Sequence, residues 1–178
     1  LEEKYIFYYY NALVLNYGKI DKNKSLETLK EASKNEVIKK IPAYTSFIYL
    51  NTAVLYFQMK KYGLAQKNIS RLVLQNDFDN LDNIFQFQIF VFELLLRVEL
   101  KQKDILNDKM AQLKSNFKKT LKLKEFKKEA DLVKILSEYS SGKDFNSKID
   151  LFIKEFEKDN NDRNTIIDYV SWSKKLKK

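Results

Sequence analysis

The sequence predicts an all-α fold, an antiparallel helix-hairpin array of about three repeats followed by two or three further helices. Three observations predict it. Glycine and proline are scarce, with 3 Gly and 1 Pro in 178 residues, against roughly 12% in an average protein. Sheets joined by tight turns need those residues at their bends. Apolar residues recur at helical spacing along most of the chain. The pattern also repeats itself, at a shift of 40 residues and then of 41.

The expected helices follow in order. The first is Tyr5 to Tyr17, broken by Gly18 and by Asp21 to Asn23. Ser25 to Ile38 places Leu26, Leu29, Ala32 and Ser33 on one face, with Asn23 as its N-cap. Pro42 suits the first turn of a third helix, where its missing N–H costs nothing, and that helix runs to Met59. Lys60 and Lys61 turn the chain into a fourth helix ending near Gln75. Asn76 to Asp82 reads as a polar loop, and Asp82 or Asn83 caps a fifth helix from Ile84 to Leu100.

Phe85 to Ile89 alternates as a strand does, but the apolar run continues without a turn signal and is too long for a typical strand. Further helices are expected at Asp104 to Phe117 and Lys122 to Tyr139, the latter closed by Ser140-Ser141-Gly142. Two shorter ones follow, Ser147 to Lys158 and Arg163 to Leu176, with Asp162 capping the last. No linker of low complexity divides the chain. The expected layout is one structural unit, with repeats over residues 1–120 and packing helices over 121–178.

The repeat rests on aligned residues. At a shift of 40, Asn11 falls on Asn51, Leu15 on Leu55, Ser25 on Ala65, Leu29 on Ile69 and Ala32 on Leu72. At a shift of 41, Ala65 falls on Leu106, Ile69 on Met110 and Leu72 on Leu113. The middle copy, from Tyr49 through LNTAVLYFQMKKYGLAQKNISRLV, resembles a tetratricopeptide (TPR) repeat. Tyr49, Tyr56 and Tyr62 stand at the family's large aromatic positions, and Ala53 and Ala65 at its small ones.

Thr52, Lys60 and Leu72 depart from the family pattern, which has Leu, a turn Gly and a small residue there. The chain as a whole resembles the degenerate-repeat C-terminal part of large uncharacterised bacterial proteins. The resemblance implies a TPR-like right-handed α-solenoid that serves as a protein–protein interaction scaffold. Its groove would be lined by the first helix of each hairpin: Phe7, Tyr10, Val14 and Tyr17, then Phe47, Leu50, Val54 and Phe57, then Val91, Leu95 and Val98. Tyr10 and Val14 stand where the family's carboxylate clamp has polar or basic groups, so no such clamp is expected.

Composition removes several chemistries. The chain has no His and no Cys, which excludes disulfides, Cys/His metal sites, thiol catalysis and a serine nucleophile with a histidine base. Gly18, Gly63 and Gly142 stand alone, so no glycine-rich phosphate loop exists. Asp77 to Gln88 fails as a calcium loop, with Asp82 at the glycine position and Gln88 at the bidentate glutamate position. The Asp159 to Asn164 stretch fails in the same way, and the Glu2–Glu3 pair reads as exposed surface. A non-enzyme without cofactor or metal is expected, in the cytoplasm. Glu93, inside an apolar helix, is the one acid that burial would perturb; facing water or pairing with a lysine is the ordinary alternative.

The chain starts at Leu1 inside an apolar helix and reads as a piece of a longer protein. Its net charge is +9, and its Lys, Asn, Ile, Phe and Tyr are the residues that AT-rich codons favour, so genome composition is the ordinary reading of that charge. Residues 101–128 hold ten Lys against Asp104, Asp108 and Glu125, a net +7. Lys114, Lys118 and Lys122 recur every four residues, as do Lys124 and Lys128, and a helix would align each set. This face is the alternative site, for nucleic acid or another polyanion. The stretch contains no Arg and few aromatics beyond Phe117 and Phe126, which argues against base readout or stacking.

Overall fold

The computed structural model describes residues 2–42, 44–157 and 165–177, with the backbone alone at Glu2 and Glu3. Among them, every regular element is helical. The alternating Phe85 to Ile89 segment lies inside a helix as expected, with Phe87 and Ile89 buried and Phe85, Gln86 and Gln88 half-buried. No helix among the described residues is long and apolar enough to cross a membrane.

The chain divides into two compact units, residues 1–81 and 82–178. This differs from the expected single unit with a change of character at residue 120. The reason lies in the third hairpin, which shares its core with the segment directly after it. Phe87 stacks edge-on to Phe126 at 5.3 Å, and Phe117 lies 5.3 Å from Phe87 and 5.5 Å from Phe90.

The first unit contains α1 (Glu2–Ile20), α2 (Lys22–Ala32), a one-turn α3 (Glu36–Lys39), α4 (Tyr44–Gln58) and α5 (Tyr62–Val73). α1 pairs with α2, α4 with α5, and α2 also packs on α4. Gly18 does not break α1. The helix runs to Ile20, and Asp21, not Asn23, caps α2 by accepting the N–H groups of Asn23 and Lys24 at 3.0 and 3.2 Å. The expected Ser25–Ile38 helix is two pieces, since Asn35 caps α3 by accepting from Val37 and Ile38. Pro42 precedes α4 rather than sitting in its first turn.

Burial recurs with the repeat. Ser25, Thr28, Leu29 and Ala32 on α2 are buried, as are Ala65, Asn68, Ile69 and Leu72 on α5. The polar members of this face satisfy themselves locally. Ser25 Oγ donates to the Val14 carbonyl of α1 at 2.8 Å, and Thr28 and Asn68 donate to the carbonyls of Lys24 and Leu64, one turn back. Val14, Leu29 and Leu55 form the core between α1, α2 and α4, with Leu26, Phe47 and Ile48 against it.

The second unit contains α6 (Asn83–Glu99), α7 (Lys103–Asn116), α8 (Lys127–Ser141), α9 (Asn146–Phe156) and α10 (Tyr169–Leu176), with two 3-10 turns, Thr120–Lys122 and Lys124–Phe126, before α8. Asp82 caps α6 through Ile84 and Phe85 N–H, which is where the acidic loop spends its last carboxylate. α10 starts six residues later than expected. Asp168 caps it through the Ser171 N–H at 2.9 Å, while the expected cap Asp162 lies outside the described residues, as does the Asp159 to Asn164 stretch. Trp172 Nε1 donates to Glu99 at 2.8 Å and ties α10 to α6.

Three hairpins close on the same backbone device. At Lys60 and Lys101 the chain enters the left-handed region with φ of 59° and 57°. The N–H of each donates three residues back, to Phe57 and Val98, and the next N–H donates five back, from Lys61 to Tyr56 and from Gln102 to Arg97. Gly142, φ 72°, repeats the pattern after α8 through Tyr139 and Glu138. This is the Schellman ending, whose left-handed residue is ordinarily glycine. Lysine there carries a Cβ penalty of about 1 kcal/mol. Lys60→Gly and Lys101→Gly therefore stabilise the protein by about 0.5–1 kcal/mol each, and Gly142→Ala destabilises it by a similar amount. Urea denaturation midpoints check all three; a Lys60→Gly variant less stable than the parent would show that the lysine side chain itself holds the turn.

Candidate functional site

The first unit has an open groove of about 460 Å³ between α2, α4 and α5. Leu26 and Leu29 from α2, Ile48 and Tyr56 from α4 and Leu64 from α5 make its apolar floor and wall. Lys30, Lys67 and Arg71 stand around it, against the single acid Glu27. Among the described residues, none of these three cations forms an ion pair. The helical repeat explains the arrangement: Lys67 and Arg71 are four apart and share a face of α5, beside the buried Asn68. The groove thus offers an apolar slot with positive edges.

This is not the surface expected from the first helix of each hairpin. Val14, Leu50 and Phe57 are buried inside the first unit, and Val91, Leu95 and Val98 inside the second. Phe7 packs edge-on to Phe47 at 4.9 Å, so this pair also works as core. Tyr10, Tyr17 and Val54 are half-buried. Tyr17 carries the Lys24 ammonium 4.3 Å above its ring. The expected lining residues are therefore largely the mortar between helices. Sequence periodicity cannot separate a helix face that lines a groove from one that meets another helix, because both are apolar stripes.

The basic stretch also differs from its expected form. α7 ends at Asn116, so no single helix carries Lys114, Lys118 and Lys122. Lys114 lies in the last turn of α7, Lys118 in the turn after it, Lys122 and Lys124 in separate 3-10 turns, and Lys128 at the start of α8. Phe117 and Phe126 are both buried, and nine residues apart they would lie on opposite faces of one continuous helix. Lys114, Lys118, Lys122 and Lys124 are exposed. Lys128 is half-buried over the Phe156 ring at 5.4 Å.

Three titratable groups are buried in the second unit, Glu93, Glu129 and Tyr169. Tyr169 is enclosed, with no hydrogen-bond partner for its hydroxyl among the described residues, and burial, aided by nearby Glu129, pushes its phenol far above the tyrosine range. It is held neutral. Glu93 is buried in α6 and takes the paired alternative. Its carboxylate accepts Arg97 Nη2 at 2.8 Å and meets Lys109 Nζ of α7 at 3.1 Å, and Arg97 Nη1 goes on to Gln102 at 2.8 Å. The cluster joins both helices of the hairpin to its turn, and reads as architecture.

Removing one member strands the others. Glu93→Ala leaves Arg97 and Lys109 without their counter-charge and costs about 3 kcal/mol, the lower end of the usual range because Lys109 keeps some solvent. Replacing all three with Leu, Met and Met comes close to neutral. Denaturant melts of both variants decide this, and a Glu93→Ala change inside about 0.5 kcal/mol would show the cluster to be incidental. No family model matches the chain, and no curated protein or solved structure matches it either.

Proposed function

We propose that this protein is a non-enzymatic scaffold for protein–protein interaction, built from TPR-like hairpins, and that it holds an acidic, amphipathic partner segment in the groove between α2, α4 and α5. The groove itself carries the reading. It pairs an apolar slot with Lys30, Lys67 and Arg71 at its edges, and a helix with leucines on one face and carboxylates beside them matches both features. The TPR-like hairpin geometry draws support from the recurrent burial on α2 and α5 and from the matched endings at Lys60 and Lys101. A cytoplasmic setting and membership of a larger bacterial protein belong to the same reading.

A second reading uses the exposed cluster Lys114, Lys118, Lys119, Lys122 and Lys124, none of which forms an ion pair among the described residues. Such a cluster attracts a polyanion through its phosphates, without sequence preference and with steep salt dependence.

Fluorescence anisotropy with a labelled Leu/Glu amphipathic peptide tests the first reading. Lys67→Glu with Arg71→Glu weakens binding at least tenfold, and a Leu/Lys peptide of the same pattern does not bind. Equal binding by the reversed variant would remove the groove from the reading. Duplex DNA titrated across a salt series tests the second. Substituting Lys118, Lys122 and Lys124 by Gln lowers affinity and flattens the salt slope by about one for each phosphate released; affinity that is weak and indifferent to salt would end it.

A further inference from the structure

α1 leaves a helix face uncovered. Tyr5, Tyr8, Tyr9, Leu15 and Ile20 are 66%, 62%, 61%, 54% and 85% exposed. With Ala12, Asn16 and Lys19, also exposed, they make one stripe at helical spacing. The repeat shows what such a face is shaped for. At the shift of 40, Tyr8, Ala12 and Leu15 fall on Ile48, Thr52 and Leu55 of α4. Leu55 and Ile48 pack against α2, in the core formed with Leu29 and Leu26. On α4 helix α2 packs on Ile48 and Leu55, and on α1 nothing among the described residues covers Tyr8 and Leu15.

We propose that the α1 face docks a second copy of this chain, as an antiparallel α1–α1 pair related by a two-fold axis at Ala12. Area supports a second copy. At roughly 200 Å² per large side chain, the five apolar residues expose about 600 Å², at the upper limit of what monomers leave uncovered. Two such faces bring about 1,200 Å² together, the lower edge of a stable interface.

Shape supports the antiparallel arrangement. The stripe is about 22 Å long from Tyr5 to Ile20, and Ala12, its one small side chain, lies at the middle. Bulky ends and a narrow waist let two helices cross closely at the waist. Residues whose numbers sum to about 24 then meet, by the symmetry of an isologous contact. Tyr9 faces Leu15 of the other copy, Tyr8 faces Asn16, and Tyr5 meets Lys19 and Ile20. The aromatic half of each stripe covers the aliphatic half of the other. The helix dipoles run opposed, which also favours this pairing.

The chain has no cysteine, so single-cysteine variants report the geometry directly. Sedimentation equilibrium over micromolar to submillimolar protein gives twice the 21.2 kDa chain mass at the upper end. Leu15→Glu and, separately, Ala12→Arg weaken self-association at least tenfold while circular dichroism stays unchanged. Under mild oxidation Ala12→Cys gives a disulfide-linked dimer. Tyr5→Cys alone does not, and a mixture of Tyr5→Cys and Ile20→Cys does. A chain that stays monomeric throughout overturns the proposal, whether or not a helix from another protein binds the same face. Dimerisation indifferent to both Leu15→Glu and Ala12→Arg overturns it as well, and self-linking by Tyr5→Cys would replace the antiparallel pair with a parallel one.

Discussion

Each hairpin depends on one sealed face of its second helix. On α2, α5 and α7 the residues four and three apart, Ser25, Leu29 and Ala32, then Ala65, Ile69 and Leu72, then Leu106, Met110 and Leu113, are removed from water. Their sizes differ widely, from Ser and Ala to Met. What they share is position, together with a hydrogen-bond partner for each polar side chain on the α2 and α5 faces. Ser25 hands its hydroxyl to the Val14 carbonyl, and Thr28 and Asn68 turn theirs back on their own helices. A helix sealed in this way accepts its partner mainly by shape, with the one Ser25–Val14 bond added in the first hairpin. The large residues of the first helices, Phe7, Phe47, Leu50 and Phe57, then fill the remaining space.

The turns must deliver that second helix in register. A Schellman ending does so by reversing the chain within two residues of the last helical turn. At Lys60 and Lys101 the protein keeps this geometry without the glycine that usually supplies it. The backbone bonds are the same as at Gly142, so the register is imposed by packing on both sides of the turn and not by local preference. In the first hairpin the device is different: α1 continues to Ile20, and Asp21 both ends it and caps α2. Two local solutions serve one packing demand, which places the demand in the buried face.

Periodic apolar segments are readable because helix burial has a period that the sequence records directly. Every expected helix through residue 116 is present, within a few residues at its ends, except that Asn35 divides the second. Caps are harder to read. Asn23 and Asp21 both suit the role, and only the end of α1 chooses between them. The lysine stripe does not form because spacing of four assumes one uninterrupted helix, whereas Phe117 and Phe126 pull the chain into the core of the second unit. The groove lies elsewhere than expected for a related reason. Apolar stripes on α1 and α4 announce contact, and contact with a neighbouring helix satisfies them. The open slot lies where α2, α4 and α5 leave a space, and nothing in a single helix's pattern encodes a gap between three.

One repeat position shows how such a fold acquires different surfaces. Ala12, Thr52 and Glu93 correspond at shifts of 40 and 41. Ala12 is exposed on α1, Thr52 lines the groove, and Glu93 is buried with Arg97 and Lys109. The backbone context is common, so each side chain answers to its own cover. A buried carboxylate is tolerated only because two cations come with it, and a threonine suits a half-open wall. An alanine between bulky tyrosines and leucine gains nothing from water and loses little to it. Its use is to let something approach. A repeat that has adjusted this position to its cover twice gives physical weight to reading the third as adjusted too.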